Sequence, residues 1–199
     1  MNGLQISARG HGRWLPLPLE GDVDEQAGTA ARELTGQVDG EGVEQLAAVI
    51  AGTARVVRRQ ADRMAQEGAP VFLAWSLLPG PGVLRPGPVA LLRGLPLAAD
   101  ATDDDVVTAI VDPEAERFGE IDVDRLETAG GTALTVRWRP VLRDDDGTRL
   151  VHEQRAVLWP DRAHETLLAL SIYVVDLVEG GSAAGPLAEL AASVRWSLT

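Results

Sequence analysis

Few residues in this chain are of types that do chemistry, and their spacing limits what they can do. The only imidazoles are His11, His152 and His164, and there is no cysteine. His152 and His164 fall on or near neighbouring predicted strands. A turn near Arg162 pairs His152 with a residue near Ile172, far from His164. That separation disfavours a metal site or a histidine general base, and His152 reads as a histidine on a packed face. Asp144-Asp145-Asp146-Gly147 has the composition of a calcium loop, but not the alternating ligands or the distal glutamate such a loop needs. It reads as a hairpin turn. Asp103-Asp104-Asp105 suits the positive end of a helix dipole. No nucleophile elbow, dinucleotide fingerprint or Walker motif occurs. All eighteen basic residues are arginine, which excludes Schiff-base lysine chemistry and a P-loop lysine. The acidic residues single out no carboxylate pair for acid/base work. No catalytic, cofactor-binding or metal-ligating residue is assigned, no cofactor is expected, and the chain is not expected to be an enzyme.

Two charged groupings are candidates for binding a partner. Arg55, Arg58, Arg59 and Arg63 share one face of a predicted helix, the one basic patch of an acidic chain. Arg137, Arg139, Glu153 and Arg155 share the polar face of a predicted strand pair. Trp14, Trp75, Trp138, Trp159 and Trp196 fall on predicted strands or the chain end, where core packing is the expectation. If a ligand pocket lies between sheet and helices instead, Trp75, Trp138, Arg137 and His152 are its expected lining.

The whole chain frames these groups. Its 199 residues suit one domain, 1–199, and 45% hydrophobic content supports a sizeable core. A formal net charge of −12 argues against a nucleic-acid binder and against docking to anionic lipid. No stretch approaches the roughly 18 apolar residues of a membrane span, and Met1–Trp14 has no apolar signal core, so a cytoplasmic protein is expected.

The elements that must position the candidates follow from periodicity. Residues 1–11 are expected to be flexible. Trp14-Leu15-Pro16-Leu17-Pro18-Leu19 alternates leucine with proline and reads as an edge strand or an extended lead-in. Residues 22–67 form a helical N-terminal elaboration. Asp22 caps a helix over Val23–Thr35 with Glu25 as its box partner, and Glu41–Glu67 is an amphipathic helix stopped by Gly68 and Pro70. Val71–Leu78 reads as a central strand buried on both faces, and Pro88–Leu95 as its hairpin partner across the proline- and glycine-rich loop from Pro79. Thr102 or Asp103 caps a short helix through Ile110, helix restarts at Pro113 until Gly119, and Ile121–Glu127 is a short strand. Residues 131–176 form a β-meander of Thr132–Arg143, Arg149–Trp159 and Thr166–Val175. The period of two puts Leu134, Val136, Trp138 and Leu142 on one face, and Thr135, Arg137, Arg139 and Arg143 on the other. A tight turn near Asp146-Gly147 sets Arg139 opposite Glu153 and Val141 opposite Val151. Gly180-Gly181-Ser182 breaks the chain before a C-terminal helix over 183–196, with Pro186 in its first turn.

The Trp14–Leu19 lead-in, Gly130-Gly131-Thr132-Ala133 before the meander and the terminal Ser193-Val194-Arg195-Trp196 resemble the Mog1/PsbP/DcrB superfamily. The helices over 23–67 depart from that pattern. The resemblance implies an antiparallel sheet flanked by helices on both faces and a non-enzymatic role, since such proteins act as binding or assembly factors. The expected fold is therefore α+β, an antiparallel sheet of about six to seven strands in a Mog1/PsbP-like α/β/α sandwich. The expected function is protein binding, as an adaptor, chaperone or immunity-type accessory protein, with another protein as partner. The alternatives are a small-ligand-binding protein or enzyme, and a structural subunit of a larger assembly, including a homo-oligomer.

Overall fold

The Asp-Gly turn and the alternation on either side of it build the centre of the sheet. In a computed structural model that describes residues 4–8, 13–78, 87–175 and 177–198, the elements run β1 (Leu4–Ser7), β2 (Trp14–Pro16), α1 (Val23–Thr35), α2 (Glu41–Gln66), β3 (Val71–Leu77), β4 (Val89–Pro96), α3 (Asp103–Thr108), β5 (Asp122–Thr128), β6 (Gly131–Trp138), β7 (Val141–Arg143), β8 (Arg149–Val151), β9 (Glu153–Asp161), β10 (Thr166–Val174), α4 (Leu177–Ser193) and β11 (Arg195–Leu198). Seven strands form one antiparallel sheet in the order β2-β3-β4-β10-β9-β6-β5. The predicted meander is its β6, β9 and β10, and β7–β8 is the tip of the hairpin between β6 and β9. The predicted register holds: Trp138 lies opposite Gln154 and Val141 opposite Val151, which sets Arg139 against Glu153.

Alternation along each strand feeds two faces. Trp75, Leu92, Val157, Leu170 and Ile172 pack against Leu187, Leu190 and Ala191 of α4. The opposite face carries two apolar clusters. One gathers Leu15, Ala74 and Leu91 under Ala27, Ile50, Ala54 and Val57 of α1 and α2. The other gathers Leu134, Val136, Trp138, Ala156, Leu158 and Ala169 under Val106 and Val107 of α3. Helices therefore cover both faces, as expected of the α+β fold.

Local chemistry sets the helix ends. Asp22 Oδ1 accepts from the N–H groups of Asp24 and Glu25, so Glu25 contributes its backbone to the cap. Thr102 and Asp105 close a reciprocal capping box on α3. Helix α2 ends in paired bonds, Gly68 N–H to the Ala65 carbonyl and Ala69 N–H to the Met64 carbonyl, with Gly68 at φ +82°, where a side chain would be strained.

Several expectations change. β3 lies next to the edge strand β2, not at the centre of the sheet. Residues 113–119 form turns rather than a helix, because Glu116 to Phe118 bond to Arg139 and Val141 as a short extra rung. The C-terminal helix begins at Leu177, so Gly180-Gly181-Ser182 lies inside it and Pro186 at mid-helix. It ends at Ser193, where the chain turns into β11, which pairs with β1. Leu142 keeps its predicted phase but is 48% exposed, since the β7–β8 hairpin extends past the helices. The segment 1–3, residues 9–12 with His11, and the loop residues Pro79–Pro86 lie outside the described residues.

Candidate functional site

The predicted arginine face of α2 divides in two. Arg55 pairs with Asp24 of α1, and Arg58 donates to the Pro18 carbonyl at 3.1 Å and the Gly21 carbonyl at 2.9 Å. Both clamp α2 to the chain before it. Arg59 and Arg63 are exposed and make no ion pair among the described residues.

The polar face of the meander is a pre-satisfied network. Glu153, 2% exposed, accepts from Arg139 Nε at 3.2 Å and from Arg155 Nε at 2.7 Å. Arg137 Nε donates to Asp122 Oδ2 of the adjacent edge strand at 2.6 Å. Helix α4 lies close over Glu153: a Cβ at Gly180 would stand 2.9 Å from Glu153 Oε1. That approach explains why Gly180 belongs inside a helix. A buried carboxylate holding two guanidinium groups is a structural joint in which each charged group has a hydrogen-bonded partner of opposite sign.

The predicted pocket lining is not brought together. Trp75 faces α4, Trp138 faces α3, and both are core residues. Arg137 lies beside α4, on the face opposite Trp138. His152 is buried, stacks on Tyr173 with ring centroids 5.0 Å apart, and neither ring nitrogen has a hydrogen-bond partner. His164 Nδ1 lies 2.6 Å from Asp161 Oδ2 in the turn after β9. Among the described residues no three potential ligands cluster around a metal position. At the Asp-Gly turn, Thr148 N–H donates to Asp144 Oδ1 and Asp146 Oδ1. A hydrogen bond shared with the Asp144 side chain, then those from Thr148, bring the Asp146 carboxyl down to about 2.

A different group stands out. Between the two apolar clusters, on the face covered by α1, α2 and α3, runs a band of polar side chains. Val89, Leu91 and Arg93 point the same way from β4, Ser171 and Tyr173 from β10, and Gln154 from β9. Register ties them together: Leu91 is opposite Ser171, and Tyr173 is opposite Gln154. Gln60 and Met64 of α2 border the other side of a partly open cavity of about 400 Å³. Arg93 has Val71 and Ala169 beside it on the flanking strands, and no carboxylate pairs with it. Its Nε is sealed from solvent with no hydrogen-bond partner. Desolvation lowers the Arg93 pKa, yet a guanidinium stays charged at neutral pH. The cavity thus offers a fixed cation, two amides, two hydroxyls and an apolar wall.

The sequence carried a signal for this site. Arg93 is the only charged residue in the strand Val89-Ala90-Leu91-Leu92-Arg93-Gly94-Leu95, in phase with Val89 and Leu91. A guanidinium on a strand's buried phase calls for a partner, and no carboxylate in the neighbouring registers supplies one. The chain matches no protein-family model, no curated protein and no solved structure, so the functional argument rests on the geometry of the cavity and its guanidinium.

Proposed function

We propose that this chain is a non-enzymatic binding protein whose ligand is a small molecule held between α2 and the centre of the sheet. The unpartnered Arg93 guanidinium in a 400 Å³ cavity carries the reading. An unsatisfied buried donor costs about 1–3 kcal/mol, and a ligand that completes the group is a physical reason to keep one that lines a cavity. The volume falls in the range of small-molecule sites, and the lining follows their pattern of apolar wall with a few convergent polar groups. The resemblance to a superfamily of binding and assembly factors accords with the non-enzymatic part of this reading alone.

The test uses two native reporters. Tyr173 is the only tyrosine, and Met64 is the only methionine besides Met1. Fluorotyrosine and methyl-labelled methionine therefore place one NMR probe on either side of the cavity. Screened against small organic acids, amides and phosphate esters, the protein is expected to show saturable shifts at both probes for at least one class. A screen that moves neither probe overturns the reading.

A second reading, binding of another protein, is favoured by one observation. Val49 and Val56 are 50% and 55% exposed and lie on one side of α2 with Arg59 and Arg63. An apolar pair flanked by free cations suits an acidic, partly apolar partner surface. Capture from the native host should then depend on Val56, and capture unchanged in Val56→Asp would sink it.

A further inference from the structure

Resting on the small-ligand reading, we infer that the cavity over Arg93 selects a monocarboxylate with an apolar body. The charge count sets the headgroup. Arg93 is the only charged residue in the lining, so the site neutralises one negative charge. A phosphate monoester or a dicarboxylate brings about two, and its second charge would meet amides and hydroxyls alone. The rest of the molecule adds to that selection. With a formal net charge of −12, the protein's own field opposes an approaching anion roughly in proportion to the anion's charge. A monoanion is penalised least.

The donor set matches a carboxylate. A guanidinium presents a planar fork that fits two carboxylate oxygens, and its hydrogen bonds to an ionised acceptor are stronger than those to a neutral one. Ser171 and Gln154, one strand and two strands from Arg93 in the sheet, supply further donors. Both Arg93 and Ser171 project from paired strands of one sheet, which fixes where their side chains start and lowers the ordering cost of binding. The apolar body is set by Met64, Val89 and Leu91. Met64 suits bodies of varied outline, because an unbranched thioether side chain adapts to what it packs against. Tyr173, 39% exposed and backed by the His152 ring, forms the rim where the molecule enters.

The experiment titrates fluorotyrosine-labelled full-length protein with octanoate, 4-phenylbutyrate, 4-phenylbutyramide, phenyl phosphate and succinate. The two monocarboxylates are expected to bind about tenfold or more tighter than the amide, the size of an added charge-assisted hydrogen bond. Phenyl phosphate and succinate are expected to bind more weakly than either. In Arg93→Met the carboxylate should fall to the affinity of the amide. Ser171→Leu, which fills the cavity and leaves the guanidinium in place, should weaken every probe. A chemical melt of each variant confirms that it is folded. Equal affinity for carboxylate and amide, or tighter binding of phenyl phosphate, overturns the monocarboxylate assignment and leaves the cavity reading standing. Failure of all five probes to shift Tyr173 in the folded protein overturns both.

Discussion

Replacing Arg93 by methionine should make the ligand-free protein more stable. Arg93 sits on a strand flanked by Val71 and Ala169, with no carboxylate in either register. Its Nε is the guanidinium nitrogen sealed without a partner. An unsatisfied buried donor costs about 1–3 kcal/mol, and exchanging a buried charged group for an apolar one of similar length commonly gains a comparable amount. Methionine keeps the unbranched stem beside Met64 and Leu91 and removes every donor. The guanidinium's other nitrogens are not sealed, so their hydration is retained in the native protein and adds little to the gain. The expected result is a stabilisation of about 1–3 kcal/mol in urea unfolding with an unchanged m-value. For a chain of this length that is about 2–10 °C in calorimetric midpoint. Saturating monocarboxylate should stabilise the native protein and leave Arg93→Met where it was, so the order of the two midpoints narrows or reverses with ligand. A variant less stable than the native protein by 1 kcal/mol or more would refute the reasoning, because Arg93 would then be a satisfied structural residue and not one held in reserve.

Other perturbations test the remaining charged groups. Glu153→Gln leaves Arg139 and Arg155 sharing a neutral acceptor beneath α4; with both arginines partly solvated, the loss in urea unfolding should be about 2–3 kcal/mol, and a loss under 1 kcal/mol would mean the network is not a joint. Burial raises the Tyr173 pKa above 10.0. A group with a raised folded pKa contributes stability that is present below its unfolded value and is lost as pH rises through the folded value, so alkaline unfolding should track the tyrosinate absorbance of this single tyrosine. An added monocarboxylate should shift that titration in the native protein and not in Arg93→Met. At the Asp-Gly turn the sign is opposite: the Asp146 carboxyl, brought from 3.8 to about 2, favours the folded hairpin above pH 3.8 and ceases to as pH falls through 2. Carboxyl-carbon NMR of Asp146 should titrate near that value, and in Asp144→Ala, which removes the side-chain hydrogen bond that is the largest cause, it should move back toward 3.8.

What could be read from the sequence was what local chemistry determines. The Asp-Gly turn sets strand direction within a few residues, and alternation then dictates the partners, which is why Arg139 and Glu153 were placed opposite each other without any tertiary information. The length and face of α2 followed from its apolar period and from Gly68. The misread features depend on contacts remote in sequence. Gly180 looks like a helix breaker until Glu153 is seen 2.9 Å from where its Cβ would stand, so its lack of a side chain is a packing requirement. β1 and β11 are four residues each and pair the two chain ends, a contact with no local signature. Of the predicted pocket lining, Trp75 and Trp138 are core residues on opposite faces of the sheet, a separation that depends on strand order and not on local sequence. Arg93 was visible as an isolated charge on a buried phase. What hid its role was the position of α2, whose Gln60 and Met64 turn a lone arginine into the floor of a cavity.

The division of the helix-covered face into two apolar clusters explains why the cavity exists at all. α1 and α2 gather their cluster around Ala74 and Leu91 on β3 and β4; α3, only six residues long, gathers its own around Val136, Ala156 and Leu158 on β6 and β9. The strip of β10 and β9 beyond Ala169 and Ala156 lies under neither. Ser171, Tyr173 and Gln154 occupy that strip partly exposed, and the buried His152 ring stacks on Tyr173. Arg93 lies at the boundary between the clusters, in the lining shared with Gln60 and Met64 of α2, with its Nε sealed and without a partner. Leucine at that position would join the two clusters into one continuous core and remove the penalty. An arginine on the buried phase of a rigid central strand is therefore a departure from what folding favours, and departures of this kind concentrate at functional sites. The opposite face makes the contrast concrete: Arg139 and Arg155 both bond to the Glu153 carboxylate, so there the charge serves the fold, whereas Arg93 on the α2 face has no carboxylate and is the group the proposed ligand would complete.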